Sequence, residues 1–390
     1  MDKKNLGLNT ICTHVGEVAD EQFKGAISPI YMSTSYAFED VDVKRYPRYF
    51  NTPNQEMLGR KIAALEGAEA GMIFGSGMAA ISTVLLSFLK TGDHIVLQKT
   101  LYGGTFNLIE EEFERFGIEY TFTDGLSEDA FAKAIKKNTK IIYVETPSNP
   151  LMTITGLKMV AELAKKKGIL TVIDNTFASP VNQNPIAHGI DIVIHSATKY
   201  MGGHSDICAG AVACSNELME AIWNKSKNLG GSLADFMVWM LERSLKTLVL
   251  RVKAQSENAK QLAEWLEKNE NIKQVYYPGL KSHPDHNLAK SQMTGYGGML
   301  SFELKDALDA DAFQKELKLI KSSMSLAGVE STILSPTKTS HALLSPKERK
   351  NQGINDGLLR FSVGIEDFKD LKADLKQALI TVGEQHLIKG

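Results

Sequence analysis

The chain has 390 residues, 43% of them apolar and 23% charged, enough for two domains that each bury a core. Its 44 basic and 46 acidic side chains leave a formal charge of −2, without the basic excess of a nucleic-acid-coating protein. No apolar run approaches the ~20 residues of a membrane span, no apolar signal segment follows Met1-Asp2-Lys3-Lys4-Asn5, and three cysteines cannot frame a disulfide scaffold, so a soluble, cytoplasmic protein is expected.

Residues 1–50 show no clear period and carry Pro29, Pro47 and the aromatic-basic stretch Lys44-Arg45-Tyr46-Pro47-Arg48-Tyr49-Phe50, the mark of an extended arm or loop. From about Glu56, apolar residues at helical spacing (Met57, Leu58, Ile62, Ala63, Leu65) predict a helix that Gly67 stops. Strand-like runs follow at His94–Leu97, Glu119–Phe122, Lys140–Val144, Leu170–Ile173, Asp191–Ile194 and Ala209–Ala213. Helical stretches lie between most of them, at Ala79–Leu89, Thr105–Phe116, Ser127–Lys136 and Leu157–Lys167. Ile141-Ile142-Tyr143-Val144 is apolar without alternation, as in a strand buried on both faces. This alternation predicts an α/β fold around a mainly parallel sheet. After about Leu245 the rhythm breaks. A long helix (Leu248–Lys268), strands at Met299–Leu304 and Leu359–Val363 and a C-terminal helix (Lys369–Val382) predict a second, α+β domain. The expected division is an arm at 1–50, an α/β domain at 51–245 and a C-terminal domain at 246–390.

The sharpest cluster of chemistry-bearing residues lies late in the α/β domain. Leu170–Ile173 leads into Asp174, and the next strand runs into His195-Ser196-Ala197-Thr198-Lys199-Tyr200-Met201-Gly202-Gly203. Ligands of parallel α/β sheets sit beyond the carboxyl ends of the strands, so Asp174 and Lys199 should face one crevice. An isolated Asp at a strand end usually caps a turn, and an isolated loop Lys is usually solvated. Together, flanked by Ser196, Thr198 and a glycine pair, they suggest a pyridoxal phosphate site: a Lys for the Schiff base, an Asp for the pyridine nitrogen, hydroxyls for the phosphate. Gly75-Ser76-Gly77-Met78-Ala79-Ala80 before a helix offers backbone N–H groups to a phosphate. The same residues also fit a loose dinucleotide-binding pattern, which expects an acid ~20 positions on. That region reads Val96-Leu97-Gln98-Lys99, without one, and a hydride-transfer enzyme has no obvious use for Lys199.

Further motifs extend over nearly the whole length: Tyr102-Gly103-Gly104-Thr105, Glu145-Thr146-Pro147-Ser148-Asn149-Pro150, Asp174-Asn175-Thr176-Phe177, His283-Pro284-x-His286 with Gln292-Met293, and Leu359-Arg360-x-Ser362-Val363-Gly364. With these, the chain resembles the cystathionine/methionine γ-family of pyridoxal-phosphate enzymes, the trans-sulfuration enzymes. The resemblance implies a type I aminotransferase-like fold, with a mainly parallel seven-stranded sheet and a smaller α+β C-terminal domain. It also implies pyridoxal 5'-phosphate as cofactor. Lys199 matches the Schiff-base lysine, Asp174 the partner of the pyridine nitrogen, and Tyr102 the ring-stacking tyrosine that assists proton transfer. Gly77, Met78, Ser196 and Thr198 match the phosphate cradle. Tyr46 and Arg48 match a pair that reaches the phosphate of a neighbouring subunit, implying a homotetramer built as a dimer of dimers with shared sites. Asn149, Ser325 and Arg360 match the residues around the substrate carboxylate, a task that suits the planar fork of Arg.

The expected activity is carbon–sulfur lysis or γ-replacement on sulfur amino acids or O-acylhomoserines, of the cystathionine γ-synthase or γ-lyase type. Methionine γ-lyase and cystathionine β-lyase are the alternatives, and an aminotransferase is a remote one. Three departures bear on the choice. Asn51-Thr52-Pro53-Asn54 stands where relatives carry Asn-Pro-Thr, Met324 stands where γ-synthases and γ-lyases commonly carry Glu, and Gly104 stands where methionine γ-lyases typically carry Cys. His283 and His286, without a third ligand nearby in sequence, are not expected to bind metal, and Lys165-Lys166-Lys167 is expected to be a solvated helix end. Cys208 and Cys214, set among small apolar residues, are expected to be packed thiols.

Overall fold

A computed structural model describes residues 6–306, 308–339, 347, 349 and 353–389. Its larger sheet has seven strands: β1 (Ala70–Phe74), β2 (His94–Leu97), β3 (Glu119–Phe122), β4 (Thr139–Glu145), β5 (Leu170–Asp174), β6 (Ile192–His195) and β7 (Gly210–Cys214). They lie in the order β1-β7-β6-β5-β4-β2-β3. All pairings are parallel except those of β7, which runs against both its neighbours.

Helices cover both faces, and this is why the strand sequences do not alternate. Val172, Ile192 and Ile194 pack with Ile81, Val84 and Leu85 of helix Gly77–Phe88 on one face. Ile173 and Val193 pack with Leu157, Val160 and Leu163 of helix Leu157–Lys167 on the other. A smaller sheet follows, formed by β8 (Ile272–Tyr276), β9 (Met299–Leu304), β10 (Lys321–Ser322), β11 (Thr332–Leu334) and β12 (Leu358–Ser362), in the order β10-β11-β12-β9-β8. It packs with the long helices Leu248–Leu266 and Phe368–Lys389 into a C-terminal α+β unit with its own core around Leu300, Phe302, Phe361 and Leu375.

Several elements differ from the sequence expectation for physical reasons. β1, absent from the expected strands, opens on Ala70-Gly71. The glycine is there because helix Pro53–Glu66 crosses so closely that a Cβ on Gly71 would lie 2.4 Å from Gly59 O. The helix expected at Thr105–Phe116 is a short α-turn, Gly103–Asn107, running into a π-turn at Leu108–Glu112. The N-terminal region includes a helix at Leu8–His14, which buries Ile11 and Cys12. Cys214 is buried as expected, but Cys208 is exposed: in the loop before β7 the chain turns Ile207 and Ala209 inward and leaves the thiol between them outside.

The departure at Asn51–Asn54 is a well-satisfied junction. Thr52 caps helix Pro53–Glu66, its hydroxyl accepting from Gln55 N at 3.2 Å while its own N–H donates to Gln55 Oε1 at 3.1 Å. Such a capping box stabilises a helix start by about 1 kcal/mol. Asn51 Oδ1 accepts from Tyr46 N at 2.9 Å and Asn54 Oδ1 from Tyr31 N at 2.9 Å, so the altered residues hold the arm.

Candidate active site

β4, β5 and β6 end side by side, with Glu145 opposite Asp174 and Asp174 opposite Ile194. Beyond β6 the chain makes a tight turn around Lys199, whose N–H donates to Ser196 O at 3.1 Å and whose carbonyl accepts from Gly203 N at 2.7 Å. Arg251 clamps this turn from helix Leu248–Leu266, donating to Tyr200 O at 2.7 Å. Thr198 fastens it to the start of β7, exchanging hydrogen bonds with Ala209 O at 3.1 Å and Ala209 N at 2.9 Å. Ser196 N donates to Thr176 Oγ1 at 2.8 Å, tying the Lys199 turn to the Asp174 loop.

Lys199 Nζ donates to Ser325 Oγ at 2.9 Å. Burial, and then the positive charge of Arg360, hold this amine below its ordinary pKa. Arg360 comes from β12 and is buried; its Nη1 donates to Asn149 Oδ1 and its Nη2 to Ser325 O, both at 3.1 Å. Ser325 itself has φ 79, in the left-handed region that costs a non-glycine residue energy. The C-terminal unit thus delivers Ser325 and Arg360 to the turn that carries Lys199.

Asp174 is buried, and its Oδ1 accepts from Thr176 N at 3.0 Å. Burial pushes its carboxyl above the usual range, opposed by Thr176, His195 and Lys199. Burial, and then Asp174, push the adjacent Glu145 up to about 8. Glu145 was not singled out from sequence, yet it organises the pocket: its oxygens accept Tyr102 N at 2.7 Å and Asn149 N at 3.4 Å. Its place inside Glu145–Pro150, ahead of Asn149, was the available signal. Tyr102 is 48% exposed, and its ring packs so close to Gly104 that a Cβ there would lie 2.6 Å from Tyr102 Cε1.

Within the chain, Lys199, Asp174, Tyr102, Asn149, Ser325, Arg360, Ser196, Thr198, Gly77 and Met78 belong to this one region. Tyr46 and Arg48 do not join it. They sit on the 3-10 turn Pro47–Tyr49 and its flank; Arg48 stacks over Tyr46 and Tyr49 at 5.6 and 5.1 Å and donates to Lys227 O at 2.5 Å.

The family described as Cys/Met metabolism PLP-dependent enzyme matches residues 9–380. The chain belongs to this family. It is 44% identical over 374 residues to a cystathionine γ-lyase of Bacillus subtilis, covering 95% of this chain and 98% of that one. It is 43% identical over 384 residues to a cystathionine β-lyase of the same organism, covering 97% and 98%. An L-methionine γ-lyase of Fusobacterium nucleatum is 40% identical over 395 residues, covering 97% and 99%. The crystal structure of a cystathionine γ-lyase from Lactobacillus plantarum, complexed with L-serine, superposes with a TM-score of 0.93 at 38% identity, covering 97% of this chain and all of that one. The protein is therefore a pyridoxal-phosphate enzyme of sulfur amino-acid metabolism, a carbon–sulfur lyase by family.

The pocket suits the family's cofactor. Asp174 is a buried carboxyl whose burial cost a pyridinium N–H would offset. A Cβ on Gly77 would lie 2.9 Å from Ser196 Cβ and 3.0 Å from its Oγ, so only a bare backbone brings the first helical N–H groups beside the Ser196 hydroxyl. Ala79 N is capped by Ser76 Oγ at 3.0 Å, whereas the N–H groups of Gly77 and Met78, which have no partner inside helix Gly77–Phe88, are available to a phosphate.

Proposed function

We propose that the enzyme cleaves the γ-carbon–sulfur bond of cystathionine, with pyridoxal 5'-phosphate carried on Lys199. The observation that supports this most directly is the junction of Lys199 Nζ, Ser325 and Arg360: an amine and an arginine fork held together by one serine at 2.9 and 3.1 Å. Arg360 and Asn149 would bind the substrate carboxylate, placing the α-carbon beside Lys199. Asp174 would hold a proton on the ring nitrogen, while Gly77, Met78, Ser196 and Thr198 would hold the phosphate. The bound cofactor supplies an electron sink for charge that develops on the substrate. Lys199 would take the α-proton, pass it back to the bound reactants so that its amine is free again, and then take a β-proton, a task for an amine whose pKa is lowered. Tyr102 would protonate the departing sulfur.

Tyr46 and Arg48 would reach the phosphate of a second copy in a cytoplasmic homotetramer with small amino-acid substrates. Exposed apolar side chains along this arm, among them Phe23, Met32, Phe38 and Tyr46, support such contact with another subunit. Methionine γ-lysis is the second reading, favoured by Met324, which is 72% exposed beside Ser325 rather than packed in a core. Product analysis decides. With cystathionine and water, γ-cleavage releases cysteine, 2-oxobutanoate and ammonia, whereas β-cleavage releases homocysteine, pyruvate and ammonia. Methionine would yield methanethiol, and an O-acylhomoserine with cysteine would yield cystathionine if replacement dominates. Homocysteine and pyruvate as the main products would overturn the γ-assignment.

A further inference from the structure

Beneath the carboxyl ends of β5 and β6 lies a buried polar pair that the reaction above does not use. The side chains of Glu66, at the end of helix Pro53–Glu66, and His195, at the end of β6, are 0% and 2% exposed. His195 Nε2 and Glu66 Oε1 are 2.5 Å apart. Asn175 Nδ2 donates to the same oxygen at 3.2 Å, and Gln183 Nε2 steadies Asn175 through its Oδ1 at 2.9 Å. Among the described residues, Glu66 Oε2 has no hydrogen-bond partner. A carboxyl group at this depth, unsatisfied on one oxygen, is costly to bury, and the His195 ring at 2.5 Å is the polar group set closest to it. Oε1 of Glu66 thus meets both His195 and Asn175.

The backbone sets this pair against Asp174. Asn175 follows Asp174 directly and its N–H donates to Ile194 O at 2.9 Å; His195 follows Ile194, the register partner of Asp174. Successive residues of a strand face opposite sides, so His195 lies across the sheet end from the face shared by Asp174 and Glu145. We propose that Glu66 and His195 are positioning residues for the cofactor's ring nitrogen: Glu66 fixes the His195 ring behind the sheet end that carries Asp174 and Glu145, and the polarity of that pair favours Asp174 as a carboxylate. The groups acting on Asp174 agree with this. Thr176 offers dipoles and Lys199 moves protons during turnover, while His195 lies outside the reacting groups. The inference rests on Asp174 being the partner of the ring nitrogen.

The test compares pyridoxal phosphate with a deaza analogue, in which carbon replaces the ring nitrogen and no proton can be held. Cofactor-depleted full-length protein is titrated with each ligand, using wild type, Asp174→Asn, Glu66→Gln and the double variant Glu66→Gln/His195→Gln. The double variant keeps an amide contact in place of the Glu66–His195 contact and decides the matter where Glu66→Gln alone does not fold. Both Glu66 variants should lower the preference for the cofactor over the analogue by about 3- to 10-fold, the equivalent of half to one pKa unit, in the same direction as Asp174→Asn. A packing role would weaken both ligands alike and leave the preference at its wild-type value. That result, with Asp174→Asn still shifting the preference, overturns the role of the pair. An unchanged preference in Asp174→Asn removes the assignment of Asp174 instead, and the inference falls with it.

Discussion

Replacing Arg360 by Lys keeps a positive charge at the site and removes the fork. Arg360 is 5% exposed, and its two terminal nitrogens each donate to protein at 3.1 Å, to Asn149 Oδ1 and Ser325 O. A lysine ammonium is a compact point charge on a flexible stem and cannot span both acceptors while meeting a carboxylate with two parallel bonds. Losing one charge-assisted hydrogen bond to substrate costs about 1.5–3 kcal/mol, or roughly 10- to 150-fold in kcat/KM. The substrate carboxylate does not react, so ground and transition states lose this contact together and the cost should fall mainly on KM. Initial rates on cystathionine over a wide concentration range measure the split, and the visible absorbance of the bound cofactor confirms that the variant is loaded. A loaded Arg360→Lys enzyme with KM within about 3-fold of wild type would refute carboxylate binding by Arg360.

Met324→Glu should shift the ratio of kcat/KM for cystathionine over methionine upwards, because cystathionine has a distal ammonium and methionine only a methyl group. With Met324 72% exposed, solvent limits such an ion pair to about 0.2–1 kcal/mol, so the shift should not exceed ~5-fold; an unchanged ratio places specificity elsewhere. If sites are shared as proposed, Arg48→Ala and Lys199→Ala should each be inactive as pure preparations yet regain activity when mixed and allowed to exchange subunits, since a hybrid dimer would contain one intact composite site. Proven exchange without recovery would mean that each site is built from one chain. The raised Glu145 carboxyl makes folded-state stability depend on pH: from its ordinary 4.5 up to about 8 the folded protein holds a proton the unfolded chain has released, so this contribution is complete at low pH and is lost as pH rises through that window. Glu145→Gln in cofactor-depleted protein should therefore gain Tm relative to wild type as pH goes from 5 to 8, and a pH-independent difference would contradict the shift.

Much of this protein is legible along the chain, because strands such as Ile141–Val144 and helices such as Leu157–Lys167 follow from local hydrophobic pattern and length. Lys199, Asp174 and Tyr102 could also be named as candidates from their motifs, and the rule that parallel strands bind ligands at their carboxyl ends directs two of them to one crevice. Other features needed the folded chain. The exposure of Cys208 depends on which way one loop residue points, and Gly71 makes sense only once helix Pro53–Glu66 lies across it. That Ser325 joins Lys199 to Arg360 required the C-terminal unit to dock on a turn more than a hundred residues earlier, with Lys199 and Ser325 separated by 126 positions. Glu66, Asn175 and His195 likewise meet from three elements, and nothing periodic in their own segments marks them. Local sequence sets which backbone conformation and which face a residue takes, whereas the electrostatics of a buried group depend on neighbours brought in from anywhere in the chain; the Asp174–Glu145 and Glu66–His195 pairs exist only because tertiary packing excludes water from both.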